Sequence, residues 1–111
     1  MKLCLPLMLA SCCAFALPAT AGTQVGTVKD IFVRDSDGLI WVDLNGTASD
    51  RALCAQVTTY WMIPNETTDT GKRLYAMLLS AQLAGRVVTI HGKNTCDRWL
   101  DGEDIETVNF D

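Results

Sequence analysis

Residues 65–92 read NETTDTGKRLYAMLLSAQLAGRVVTIHG, and they encode one helix followed by one strand. Apolar residues recur every three or four positions in the middle of this stretch, which gives a helix an inward-facing stripe. The predicted stripe consists of Leu74, Met77, Leu78 and Ala81. Asn65 and Thr67 are candidate N-caps, because their side-chain oxygens can accept hydrogen bonds from the first helical turn. Gly85 is suited to end the helix after Ala84.

Alternation of apolar and polar residues predicts five strands around this helix. They cover residues 25–34, 39–44, 53–62, 86–91 and 105–110. The sequence Asp35-Ser36-Asp37-Gly38 is typical of a tight turn, so the first two strands are expected to form a hairpin. On the first strand, strict alternation places Val28 and Phe32 on one face.

The third predicted strand is rich in β-branched and aromatic residues. Strict alternation places Leu53, Val57 and Trp61 on one face of it, and Trp61 is expected in the core. The resulting order is strand, strand, strand, helix, strand, strand. This order favours a mainly β fold with one helix, a five-stranded OB-fold-like barrel in the α+β class. The alternative is an open antiparallel sheet with one helix across a face.

Residues 1–21 have the pattern of a secretory signal peptide. Lys2 precedes a mostly apolar run, and Ala19-Thr20-Ala21 supplies the small-x-small pattern at which such leaders are cleaved. Residues 22–111 are therefore expected to form a single secreted or periplasmic domain. The alternative is a lipobox at residues 9–12, which would anchor the protein through a lipid on Cys12.

Removal of the leader leaves Cys54 and Cys96 out of five cysteines. In an exported protein the simplest expectation is one disulfide between them. A redox or metal pair would need closer spacing or more ligands, and His91 is the only histidine. The sequence therefore predicts neither a metal site nor a cofactor.

The chain carries a formal net charge of −4 and contains no basic run. Because nucleic-acid binding relies mainly on clustered Lys and Arg, nucleic acid is not an expected partner. No segment beyond the leader approaches the roughly 18 apolar residues that suggest a membrane span, so no membrane contact is expected after cleavage.

Three stretches together resemble one known family. They are Leu53–Val57, Thr70–Ala81 and Ala84–Gly92. Their order and spacing are similar to those of the B subunit of subtilase cytotoxin and related short secreted bacterial OB-fold proteins. This resemblance implies a pentameric homo-oligomer that binds sialylated or other glycans on host cells and delivers a separate catalytic subunit. The family's sugar pocket, carried over at the helix end, falls near Gln82.

The aromatic residues supply the remaining candidates for ligand binding. Trp99 lies in a predicted loop beside Asp97 and Arg98, and Trp41 lies opposite an apolar strand face. Aromatic rings can stack on the C–H faces of sugars, and Trp is also favoured at protein interfaces. Core filling is the competing interpretation for both tryptophans.

An acidic cluster surrounds Gly102. It consists of Asp97, Asp101, Glu103 and Asp104. The spacing lacks the EF-hand pattern, so a solvated turn before the last strand is expected rather than a calcium site.

No combination of nucleophile, base and acid stands out in the sequence. His91 is a lone histidine, and no serine lies in a G-x-S-x-G pattern. The leading hypothesis is therefore a non-catalytic secreted or periplasmic binding module, with a host or bacterial glycan as its ligand by resemblance. The alternative is a periplasmic structural or protein-interaction factor without a sugar site, and a small hydrolase is a third hypothesis that no residue motivates.

Overall fold

A computed structural model describes residues 20–111. The predicted leader lies almost wholly outside the described residues, and so does the alternative lipid site at Cys12. The elements in residues 20–111 are β1 (Thr23–Val33), β2 (Ile40–Leu44), a 3-10 turn (Leu53–Ala55), β3 (Trp61–Met62), α1 (Asp69–Ala84), β4 (Val87–Gly92) and β5 (Glu103–Phe110). Within this part of the chain, no helix combines the length and apolar character needed to cross a membrane.

The strands close into a barrel in the order β1-β2-β3-β5-β4, with β4 returning to β1. The long β1 pairs with β4 through its first half and with β2 through its second half. β3 and β5 are parallel, and the other neighbouring pairs are antiparallel. α1 connects β3 to β4 and packs against β1 and β5. The predicted OB-fold-like barrel, mainly β with one helix, is confirmed.

The barrel encloses one apolar core. Its most deeply buried side chains come from four strands, the residue after β3 and the helix: Val42, Trp61, Ile63, Leu78, Ala81, Val88, Ile90 and Ile105. Burial of each larger apolar side chain stabilises the fold by roughly 1.5–3 kcal/mol relative to exposure. Trp61 was expected in the core, and that prediction is confirmed.

The helix begins later than predicted. Its N-cap is Thr68, whose hydroxyl oxygen accepts a hydrogen bond from the Gly71 amide at 3.1 Å. Asn65 is instead part of the preceding turn, where its carbonyl accepts the Thr68 amide at 3.0 Å, so the prediction of Asn65 or Thr67 as the cap is wrong. The predicted end is confirmed, because Gly85 adopts a left-handed conformation with φ 64° directly after the helix.

A β-bulge changes which side chains of β1 face inward. The register of β1 against β2 shifts at Lys29. Val28 is buried before the bulge, and Ile31 packs against the core after it. Phe32 lies outside and is 40% exposed. The predicted shared face of Val28 and Phe32 is therefore wrong, because one extra residue reverses the alternation.

Most of the predicted third strand is a loop. β3 has only two residues, while Leu53 is 88% exposed and Val57 is 94% exposed. The Arg51 side chain explains part of this difference, because it donates hydrogen bonds to the carbonyls of Ala55 at 2.9 Å and Tyr60 at 2.5 Å. A guanidinium thus occupies backbone acceptors that a strand would use for a neighbouring strand.

The predicted disulfide between Cys54 and Cys96 is confirmed. It joins the loop before β3 to the connection between β4 and β5. Two segments 42 residues apart in sequence are thereby held together on one side of the barrel.

Candidate functional site

A surface cavity of about 220 Å³, here called the aromatic cavity, is the best candidate site. Its lining consists of Arg34, Leu39, Trp41, Tyr60, Met62 and Trp99. These residues come from the β1–β2 turn region, β2, the start of β3 and the β4–β5 connection. The fold therefore brings together the two tryptophans, Trp41 and Trp99, that the sequence marked as candidates.

Trp41 points outward because it alternates with the buried Ile40 and Val42 along β2. Its ring stacks on Phe32, the residue opposite it on β1, with centroids 5.0 Å apart and planes 13° apart. A stacked aromatic pair adds about 0.5–1.5 kcal/mol beyond the area it buries. Trp41 is thus held in a fixed orientation at the cavity wall.

Trp99 reaches the cavity from the β4–β5 connection, where it forms an isolated bridge with Gly102. The Arg34 guanidinium lies 4.8 Å from the centroid of its ring, within range of a cation–π contact. Arg34 also forms an ion pair of 2.6 Å with Asp37. Hydrogen bonds from Arg34 and from the Leu39 amide hold the pKa of Asp37 well below its usual range. The turn between β1 and β2 is consequently fixed against one face of Trp99.

Tyr60 also lines the cavity. Its O–H donates to the carboxylate of Asp101, and burial together with this bond raises the pKa of Tyr60 to about 12. The phenol therefore stays protonated near neutral pH. A Cβ at Gly102 would lie 2.6 Å from Met62 Cγ and 2.7 Å from Tyr60 Cε2, so the backbone here packs directly against the cavity wall.

Arg98 lies close to the cavity but is not part of its lining. Its Nη2 donates to Glu66 at 2.7 Å and to the Asp37 carbonyl at 3.2 Å, while its Nε lies 3.1 Å from both Glu66 oxygens. These hydrogen bonds lower the pKa of Glu66. Arg98 thus braces the β4–β5 connection against the β1–β2 turn and the turn before α1. Asp97 is exposed, and its amide donates to Asp104 at 2.8 Å.

Gln82 lies elsewhere on the molecule. It belongs to α1, and its Nε2 donates to the carbonyl of Lys29 at the β1 bulge at a distance of 3.2 Å. It does not line the aromatic cavity.

The acidic cluster is only partly solvated. Glu103 is 0% exposed and Asp104 is 1% exposed, so the expectation of a solvated turn is wrong for these two residues. Asp104 accepts hydrogen bonds from the Thr95 hydroxyl at 2.7 Å and from the Asp97 amide at 2.8 Å. A buried carboxylate needs such partners, and here they order the connection that carries Trp99.

Sequence reasoning did not single out Arg34, Leu39 or Met62 as site residues. Arg34 carried a usable signal, since it lies just before a turn that contains two aspartates. Leu39 and Met62 carried no such signal, and each is almost completely buried. The lining as a whole offers aromatic faces, one guanidinium and one phenol, but no carboxylate, thiol or imidazole. Such a set suits stacking and hydrogen bonding.

The chain was compared with protein-family models, with curated proteins and with solved structures, and none of the three comparisons finds a match. The similarity to toxin B subunits therefore stays a prediction from the sequence.

Proposed function

We propose that this protein is a non-catalytic, secreted or periplasmic binding module that holds the terminal unit of a neutral glycan in the aromatic cavity. The observation that carries the proposal is the convergence of Trp41 and Trp99 on one cavity, whose lining also includes Tyr60 and Arg34.

The composition of the cavity supports a sugar ligand. Sugars present apolar C–H faces for the indole rings and hydroxyls for polar neighbours. The volume of about 220 Å³ is below the roughly 300–1,000 Å³ of clefts that enclose drug-sized molecules. The cavity therefore suits the terminal sugar of a glycan better than several linked sugars.

The position of the cavity in the fold supports a binding role by analogy. OB-folds bind oligonucleotides and oligosaccharides on the face of strands 2 and 3, between the 1–2 and 4–5 loops. The aromatic cavity has residues from these same regions. Because one fold serves many functions, this analogy adds to the chemistry of the lining and does not replace it.

The charges around the cavity favour a neutral ligand. Arg34 is paired with Asp37, and Arg98 is paired with Glu66. Neither guanidinium is therefore an uncompensated charge for a carboxylate or phosphate. This favours neutral sugars over the sialylated glycans that the family resemblance implies, and it disfavours nucleic acid.

A glycan array on the purified exported protein, followed by titration of the best neutral hit, tests the proposal. Trp99→Ala and Trp41→Ala should each weaken binding at least about 30-fold, the size expected for loss of a central aromatic contact. Leu83→Ala is the matched control, since Leu83 is exposed on α1 and should leave affinity unchanged. Absence of any glycan hit, or equal affinity of all three variants, would refute the site.

One observation favours a second candidate function, a protein-interaction factor. Phe32 beside Trp41 and Leu100 beside Trp99 both expose apolar surface, and Leu100 is 76% exposed. Exposed apolar groups near aromatic residues are typical of protein interfaces. A protein partner, or further copies of this chain in a ring, should be lost with Leu100→Ser, whereas glycan binding should survive that change. Sedimentation of wild type and Leu100→Ser separates these possibilities.

A further inference from the structure

The backbone nitrogen of Gly22 lies against a buried carboxylate. It donates a hydrogen bond of 2.9 Å to Oε2 of Glu103, which is completely buried. The Gly22 carbonyl accepts the Gly92 amide at 2.8 Å, so this residue is fixed on both sides inside the barrel. The same carboxylate also accepts the amides of Ala52 at 2.6 Å and Asn94 at 3.3 Å.

The barrel leaves no room for a side chain at this position. A Cβ on Gly22 would lie 2.8 Å from Glu103 Oε1 and 3.0 Å from the Trp61 ring. On the opposite side, a Cβ on Gly92 would lie 1.7 Å from Glu103 Oε2. Two glycines therefore let the backbone approach the carboxylate closely.

The predicted leader ends at this same nitrogen. The pattern Ala19-Thr20-Ala21 places the scissile bond between Ala21 and Gly22. We propose that cleavage there turns the Gly22 nitrogen from an amide donor into an ammonium that pairs with Glu103, and that this ion pair locks the exported barrel. In the cleavage, a signal peptidase adds one water across the amide. Ala21 keeps the new carboxylate, and the freed amine of Gly22 takes up a proton.

The electrostatics of Glu103 give the proposal its physical basis. Within residues 20–111, no Lys, Arg or His side chain lies within ion-pair distance of this carboxylate. Its direct partners in the uncleaved chain are neutral amides. The Arg51 guanidinium attracts this carboxylate only from beyond ion-pair distance, and a buried anion without a contacting cation is costly. An α-ammonium, with an ordinary pKa of about 7.7–8.0, is mostly charged at neutral pH and would compensate it. Cleavage next to Cys12 would instead leave residues 12–21 attached and keep an amide at Gly22.

The test uses the full chain, expressed with its own leader in an exporting bacterium. Mass spectrometry of the purified protein should find a chain that begins at Gly22. A second form carries one Ser inserted between Ala21 and Gly22, which leaves a free amine but moves it one residue away from Glu103. In urea unfolding, this insertion should lower the folded-to-unfolded ratio about tenfold or more. In a Glu103→Gln background the same insertion should change the ratio less than about twofold, because no anion remains to pair.

Amine reactivity provides a second measurement that does not depend on folding of the Glu103→Gln variant. The α-amine of the wild-type chain should acylate at least about tenfold more slowly than that of the Ser-inserted chain at neutral pH, because it is buried and paired. A mature chain that begins elsewhere, equal acylation rates, or an equal effect of the insertion with and without Glu103 would each overturn the proposal.

Discussion

Removal of the Cys54–Cys96 disulfide should destabilise the protein by about 4 kcal/mol. The two residues are 42 apart in sequence. On the chain-entropy model, a crosslink that closes a loop of this size removes about 13 cal/mol/K from the entropy of the unfolded chain, which corresponds to about 4 kcal/mol at 25 °C. Domains of this size have total stabilities of roughly 5–15 kcal/mol, so the disulfide accounts for a large share. The expected fall in melting temperature is about 15–30 °C.

Urea unfolding followed by tryptophan fluorescence measures this change. The comparison is between oxidised wild type, reduced wild type and the Cys54→Ser/Cys96→Ser double variant. The last two should agree with each other, and a reducing agent should not affect the double variant. Leu53→Ser is the matched control, because Leu53 precedes Cys54 and is exposed, so its loss should change stability by less than about 0.5 kcal/mol.

A loss below about 1 kcal/mol would refute the reasoning. It would mean that the unfolded chain gains little freedom when the crosslink is removed, or that hydrogen bonds alone hold the two segments together. One such bond is present, since the Thr58 hydroxyl donates to the Asp101 carbonyl at 2.5 Å. The same experiment bears on the site, because Cys96 lies in the connection that carries Trp99. The near-ultraviolet circular dichroism of the folded double variant should therefore change.

Three further predictions concern the scaffold of the site. Arg98→Ala should lower the free energy of unfolding by about 1.5–3 kcal/mol, since it removes charge-assisted hydrogen bonds to Glu66, and urea titration measures this loss. Arg98 lowers the pKa of Glu66, so this stabilisation is fully present above about pH 4.3 and is lost as the pH falls through the lowered pKa. Glu66→Gln should therefore make the free energy of unfolding depend less on pH in that acidic range. Gly26→Ala should prevent or severely weaken folding, because its Cβ would lie 1.9 Å from the Asn45 carbonyl oxygen, and circular dichroism of the purified variant tests this. Val57→Ser should leave stability within about 0.5 kcal/mol in urea unfolding, whereas a core strand position would lose several times as much.

The sequence predicts the barrel well because the order of its elements is carried by strong local signals. The helix has a clear apolar stripe and ends at Gly85, and the sequence Asp35-Ser36-Asp37-Gly38 between β1 and β2 is typical of a tight turn. The disulfide prediction follows from the expected export and from the two cysteines that remain after the predicted leader. Each of these signals depends on neighbouring residues or on a count of cysteines, so it can be read from the sequence without knowledge of the tertiary structure.

The errors at the third predicted strand and at the acidic cluster share a cause, which is competition for backbone hydrogen-bonding groups by polar side chains. Alternation predicts a strand from Leu53 onward, but the Arg51 side chain occupies the carbonyls of Ala55 and Tyr60. Charge predicts solvent for Glu103 and Asp104, but loop amides without a strand partner recruit both carboxylates into the interior. Neither outcome can be read from periodicity, because each depends on hydrogen bonds from side chains to the backbone.

The same polar interior bears on the proposed binding role of the aromatic cavity. Trp99 lies in the connection between β4 and β5, and Asp104, Arg98 and the disulfide each tie that connection to a different part of the barrel. A rigid aromatic surface loses little conformational entropy when a ligand binds, so even a small cavity can retain useful affinity. Under the proposed function, Asp104 and the paired arginines therefore act on the ligand indirectly, by holding Trp99 in place before it arrives.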